Sequence, residues 1–220
     1  MNRITNTMKL DFYTAKSTLV ISAVTYVISA LVGLSTKQTV ISMALVMVFG
    51  TYTCGSVFSV EEKNHIDKLH GILPLRKSDM IAGRYVYALV IGLVNLVIAG
   101  IFGFVISLIV NAGLSAMTFF SALGLTFLYF CFAVAIAFPV YFKFTFTKAY
   151  VFTMIPIYLV MLLVVFLSRR SSVFSGAGQL FQVLSNAPAV ILLLGLVLGL
   201  AFLAVSAYIA NRIYRKKEIY

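Results

Sequence analysis

The chain has 220 residues, of which 62% are hydrophobic and only 10% charged, with a mean hydropathy of +1.06 and a net charge of +11. A soluble domain carries about 25% charged residues and cannot hide this much apolar surface at this length, so that class is excluded. The basic residues form no single stripe with interleaved polar contacts, which removes a nucleic-acid partner; they flank long apolar runs instead, where they meet anionic lipid head groups.

No Asp, Glu, Lys, Arg or His occurs within residues 17–36, 38–60, 85–142, 149–168 or 171–211, runs of 20, 23, 58, 20 and 41 residues. A helix rises about 1.5 Å per residue, so roughly 20 apolar residues cross the ~30 Å hydrocarbon core. Ahead of these runs, Ile4, Met8, Phe12 and Ala15 recur at helical spacing, with Lys9 and Lys16 elsewhere on the wheel. That pattern predicts a short helix at about 4–16 lying in the membrane interface. Span one is expected at 18–34; it has no convincing small-x-small cleavage site and more spans follow it, so it is read as a retained span, not a signal peptide. A tight turn at Ser35–Gln38 leads into span two, 39–59.

The longest run breaks at Asn111–Ser115, where Asn, Gly and Ser supply turn chemistry, giving span three at 85–110 and span four at 117–140. Span five, 150–167, contains Pro156, which removes one backbone hydrogen bond and predicts a kink tolerated inside a bundle. Ser171–Gly178 is too polar and Gly-rich to span. Span six is expected at 188–210, with Asn186 near an N-cap and Pro188 in the first turn. With no internal repeat and no linker, the expected fold class is all-α integral membrane: one six-transmembrane-helix bundle over 1–220. A cytoplasmic N-terminus puts 14 of the 17 Lys and Arg inside and leaves only Lys37, Arg169 and Arg170 outside. The positive-inside rule selects that orientation, with both termini cytoplasmic and the chain multi-pass in the plasma membrane.

The cytoplasmic segment 61–84 between spans two and three holds Glu61, Glu62, Asp67 and Asp79, four of only six acids. Ile66, Leu69 and Leu73 form one apolar stripe on a short polar helix, Pro74 ends it, and Ser78 is placed to cap the helix of span three with Asp79 at its positive end. A solvated loop that merely fixes topology would be the bland account. The segment is longer and more mixed in charge than topology requires, and its stripe needs something to pack on, so it is read as a docking element.

Glu61-Glu-Lys, the helix ending Leu73-Pro-Leu-Arg76, Ser78-Asp-Met80 and Gly83-Arg-Tyr85 resemble the passage between spans two and three in permeases of ABC-2-type (type V exporter-like) transporters. The six spans, the N-terminal interfacial helix and the polar stretch before the last span are similar as well. The resemblance implies that Glu62–Leu73 is a coupling helix seated on a cytoplasmic ABC ATPase. Glu62, Asp67, Lys68, Leu69, Leu73, Pro74 and Arg76 would be the coupling residues. It further implies an ATPase dimer, a second permease subunit, identical or related, and an external or partly re-entrant piece at Ser171–Ala187. The small size and short loops look most like permeases of bacterial peptide exporters, such as the phenol-soluble modulin exporter.

The chemistry the sequence lacks points the same way. ATP hydrolysis needs a G-x-x-x-x-G-K-[ST] loop, and the chain has no Gly-Lys pair, so ATP and Mg belong to the partner and the chain itself holds no cofactor. An ion-coupled transporter buries a carboxylate or His near the midplane, and no expected span carries one. Asn95, the most polar side chain within a span, is read as a helix-to-helix hydrogen bond. Glu62 and His65 share a helical face, but a di-metal bundle needs that pair twice plus two more carboxylates. Cys54 and Cys131 lie isolated in apolar runs and are read as packing residues, without a disulfide or zinc spacing. The aromatics crowded into 119–152 are read first as lipid-facing packing and interfacial belt, and second as an apolar wall for an amphipathic or hydrophobic substrate. Arg169 and Arg170 are read as snorkelling side chains, or else as contacts to an anionic substrate or lipid. The alternatives to a permease are an ATPase-independent six-span channel or self-protection (immunity) protein, and an assembly scaffold.

Overall fold

The computed structural model describes residues 3–64, 77–110, 115–151 and 188–215. Its elements are α1 (Arg3–Thr14), α2 (Lys16–Thr36), α3 (Thr39–Lys63), α4 (Lys77–Val110), α5 (Ala116–Lys143), a short helical stretch at 146–151, and α6 (Pro188–Arg215). No strand occurs among the described residues. Among the described residues, four helices, α3 to α6, are long and apolar enough to cross a membrane, and α2 adds a shorter apolar helix at Val20–Thr36. Residues 152–167 of the expected span five, and Ser171–Ala187, lie outside the described residues.

Local chemistry sets the helix ends. α2 stops where Lys37 adopts the left-handed conformation (φ 55°, ψ 26°) and donates its N–H to the Leu34 carbonyl at 3.3 Å; Gln38 is extended and α3 starts at Thr39. This is the turn expected at Ser35–Gln38. Ser115 caps α5, its hydroxyl accepting the Thr118 N–H at 3.2 Å, so the break expected near Asn111–Ser115 closes on a capping serine. α3 runs four residues past the expected end of span two, so Glu61 and Glu62 stand on its last turn. α4 starts at Lys77, eight residues before the expected start of span three, and Ser78 lies inside it instead of capping it. Its 34 residues measure about 51 Å, some 20 Å more than the hydrocarbon core.

α3 is the central helix, packing against α2, α4 and α5, while α5 and α6 form the most extensive pair. The core is built where α3, α4 and α5 meet, from Met43, Val46, Met47, Val57, Phe127, Phe130 and Phe138. Lipid offers no hydrophobic drive to bring helices together, so close backbone approach and internal hydrogen bonding do that work. Along α3, Thr51, Thr53 and Ser56 are buried because each hydroxyl donates to a backbone carbonyl of the preceding turn, at 3.2, 3.0 and 2.7 Å. Cys54 and Cys131 are buried and free. The outer faces stay apolar: Val97, Phe104 and Leu108 on α4 and Leu193, Val197 and Val205 on α6 are exposed, a surface that lipid solvates.

The aromatic cluster departs from its expected role. Phe127, Phe130, Phe138 and Phe142 point inward and are almost wholly buried, whereas Phe120, Phe132, Phe144 and Tyr150 are exposed. Phe58 on α3 sits within 5.0–5.3 Å of the rings of Phe138, Tyr141 and Phe142, so much of the cluster is core and not belt.

α5 and α6 touch backbone to backbone. A Cβ on Gly124 would lie 2.9 Å from the Ile191 carbonyl oxygen and the Leu192 Cα, and one on Gly195 would overlap the Gly124 carbonyl. Gly195→Leu therefore forces the pair apart. Its detergent-extracted protein is expected to lose most of its monodisperse yield by size-exclusion chromatography, while Val197→Leu on the lipid-facing side of the same helix keeps it.

Candidate functional site

α1 lies against the start of α4, with Thr7, Asp11 and Ala15 buried and Met8 and Phe12 half-buried on one stripe, while Lys9 and Tyr13 are exposed. Phe12 meets Tyr87 edge-on at 4.9 Å, and the Thr7 hydroxyl donates to the Asp79 carbonyl at 3.4 Å. The expected interfacial helix is thus docked onto the bundle by its apolar stripe. That stripe also carries an acid.

Three charged side chains converge there. Arg84, in the second turn of α4, is 3% exposed; Glu61 on α3 is 5% exposed and Asp11 on α1 is 4% exposed. The guanidinium Nη2 pairs with Glu61 Oε1, and Nε lies 3.9 Å from Asp11 Oδ1. Its plane also meets aromatic faces, with Cζ 4.4 Å from the Phe58 centroid and 5.4 Å from that of Phe142. Removing an arginine from water costs several kcal/mol, offset here by a carboxylate, a second carboxylate nearby and two rings, each desolvated cation–π contact contributing up to ~2 kcal/mol. The cluster joins α1, α3, α4 and α5 at a single charge.

Glu62, one residue on, points elsewhere. Its Oε2 accepts the Thr147 N–H at 3.0 Å and its Oε1 accepts the Thr147 hydroxyl at 2.9 Å. A cavity of about 60 Å³ is lined by Glu61, Glu62, Arg84, Phe142, Thr145 and Phe146. Lys16, Lys63, Arg84, Lys143 and Lys148 therefore gather at one end of the bundle and Lys37 at the other.

Two further polar contacts lie deeper along α4. Ser206 on α6 gives its one hydrogen to the Ala135 carbonyl at 2.7 Å, so the Tyr85 hydroxyl, 2.6 Å away, is the donor to Ser206 Oγ. Asn95, 1% exposed, donates to Ile91 O at 2.8 Å and accepts the Tyr26 hydroxyl of α2 at 2.9 Å. That is the helix-to-helix hydrogen bond expected of Asn95. Gly50 makes room for it, since a Cβ there would stand 2.8 Å from Asn95 Nδ2.

Of the coupling residues expected from sequence, Glu62 is placed at the end of α3. Asp67, Lys68, Leu69, Leu73, Pro74 and Arg76 lie outside the described residues, as do Arg169 and Arg170. The resemblance motif gains a physical meaning at its two ends, because Glu61 and Arg84 pair and so close the base of the segment between them. Sequence reading passed over Asp11 and Thr147. Asp11 leaves one signal, an acid between Met8 and Phe12 on an otherwise apolar stripe; Thr147 leaves none.

Breaking a buried pair by removing one partner costs about 3–5 kcal/mol, while replacing both by apolar groups is near neutral. Glu61→Ala and Arg84→Ala are each expected to lower the unfolding midpoint of the detergent-solubilised protein sharply. The triple variant Asp11→Leu/Glu61→Leu/Arg84→Met, which strands no charge of the cluster, is expected to recover most of the loss.

A family model described as ABC-2 family transporter protein matches residues 7–215, nearly the whole chain. Searches of curated proteins and of solved structures return no match. Members of this family are membrane components that generally work with an ATPase subunit. Its multi-pass helical bundle and this match together show that the chain belongs to the ABC-2 transporter family, as a permease-type membrane protein.

Proposed function

We propose that this permease is the membrane subunit of an ATP-driven exporter for an amphipathic or hydrophobic substrate, a peptide being the first candidate. In this reading the segment 61–84 seats on a separate ATPase, with ATP and Mg held there. A second permease, identical or related, completes the path, and the basic end of the bundle faces the cytoplasm. The observation that carries the reading is the Glu61–Arg84 pair. It joins the two ends of the segment, so a push on that segment reaches α3 and α4 together and cannot be absorbed by one helix alone. Asp11 and Phe142 beside the same guanidinium extend the load to α1 and α5.

ATP-driven closure of the paired ATPases would displace the coupling helix, and the rigid pair would tilt α3 and α4 against the α5–α6 pair. A path between two permeases then switches from inward-open to outward-open. The absence of any carboxylate or His inside the charge-free runs supports an energy source outside the membrane.

The test is a gentle purification of the tagged chain from native membranes with identification of stoichiometric partners. An ATPase with a phosphate-binding loop is expected to accompany the parent chain and to be lost from Leu69→Asp at unchanged membrane level. A chain that purifies alone and conducts ions in bilayers without ATP would replace this reading with the channel or self-protection alternative.

A further inference from the structure

The two glutamates on the last turn of α3 face different tasks. Glu61 is buried against Arg84, and separating that pair would strand a charge away from water. Glu62 is half-buried and its partner Thr147 is exposed, so water can replace their two hydrogen bonds one at a time. The neighbouring cavity, about 60 Å³ and lined by Glu61, Glu62 and Arg84, is large enough to admit water beside the carboxylate. The bonds link positions 85 apart in sequence. They join the end of α3, two residues before its C-cap Asn64, to the first turn of the helical stretch 146–151. That stretch begins after the chain leaves α5 through extended Phe144, and Phe146 stacks at 5.2 Å on Tyr141 and 5.6 Å on Tyr150.

We infer that Glu62 is a positioning residue. Its paired bonds to Thr147 form a release latch that holds the segment following α5 against the end of α3 in this conformation. The latch gives way before the Glu61–Arg84 pair when the chain beyond Asn64 is pulled. Release frees the helical stretch to move apart from α3 while α3 and α4 stay joined. The Glu62 side chain supplies both acceptors, Oε2 for the N–H and Oε1 for the O–H of the same residue, so truncating it removes both bonds together. The inference rests on the reading of segment 61–84 as the coupling element, in that the pull is assigned to the ATPase.

The test places spin labels at Lys63→Cys and Lys148→Cys, exposed neighbours of the latch that leave both its residues intact, in a Cys54→Ala/Cys131→Ala background. Without nucleotide, the full chain in membranes is expected to give one narrow distance distribution. Thr147→Val and Glu62→Ala are each expected to broaden or lengthen it by about 1–5 Å, the range from a small helix shift to a one-turn slip. Thr147→Ser, which keeps the hydroxyl, is expected to leave it unchanged, and Thr147→Val added to Glu62→Ala is expected to do no more than Glu62→Ala alone. With the ATPase bound, ATP, Mg and vanadate are expected to move the parent distribution to that of Thr147→Val. An unchanged distribution in both single variants would overturn the latch. A response in the variants without any response to nucleotide in an ATPase-bound sample would reduce it to a static brace and overturn release. Should no ATPase bind, the coupling reading fails by itself, while the nucleotide-free arm still decides whether Glu62 and Thr147 hold the two segments together.

Discussion

One guanidinium, taken out of water, dictates how this end of the bundle is built. Arg84 sits on a helix too long for the membrane core, at a level where neighbouring helices surround it. A charge in that position has to bring its solvation with it. It draws Glu61 from the end of α3, Asp11 from α1, and the faces of Phe58 and Phe142. The entry of α1 onto the bundle, the extension of α3 past its apolar run, and the inward turn of the α5 aromatics are all answers to that demand. The contacts deeper along α4 follow the same logic at smaller scale. Tyr85 finds Ser206 and Asn95 finds Tyr26, so α4 carries a polar anchor toward α6 and another toward α2.

The sequence made the four described spans legible because charge is so costly in hydrocarbon that its absence over twenty residues is itself a measurement of length. The turn after α2, the cap at Ser115 and the role of Asn95 were readable for related reasons, each being a local backbone or hydrogen-bond requirement. Helix ends at the basic face were less so. Glu61 and Glu62 look like loop residues in a hydropathy profile, yet they continue α3 because Arg84 and Thr147 give them partners. Composition cannot register partners 23 or 85 positions away.

Side-chain direction was the other blind spot. α3 alternates Thr, Ser, Gly and Met without a clear apolar face, because its buried hydroxyls are satisfied by their own helix and carry no signal of exposure. A phenylalanine on α5 is equally at home against lipid or against Phe58, so counting aromatics cannot tell belt from core. Asp11 shows the converse: an acid within an apolar stripe is costly enough to deserve a partner, and that partner was Arg84.

The backbone contact of Gly124 with α6 has a mechanical meaning. Some 11 residues along α5, the Ala135 carbonyl takes the Ser206 hydroxyl, and Phe132 meets Phe202 edge-on at 5.9 Å. These fastenings stand about 16 Å apart along the helix axis. One resists separation, because backbones this close gain dispersion that any gap between the two helices would forfeit. The other forbids slippage, because a hydrogen bond inside a dry interface has no substitute one step up or down. Two helices pinned in this way behave as a single strut, and whatever shape change the molecule undergoes has to be taken up by the seams around that strut.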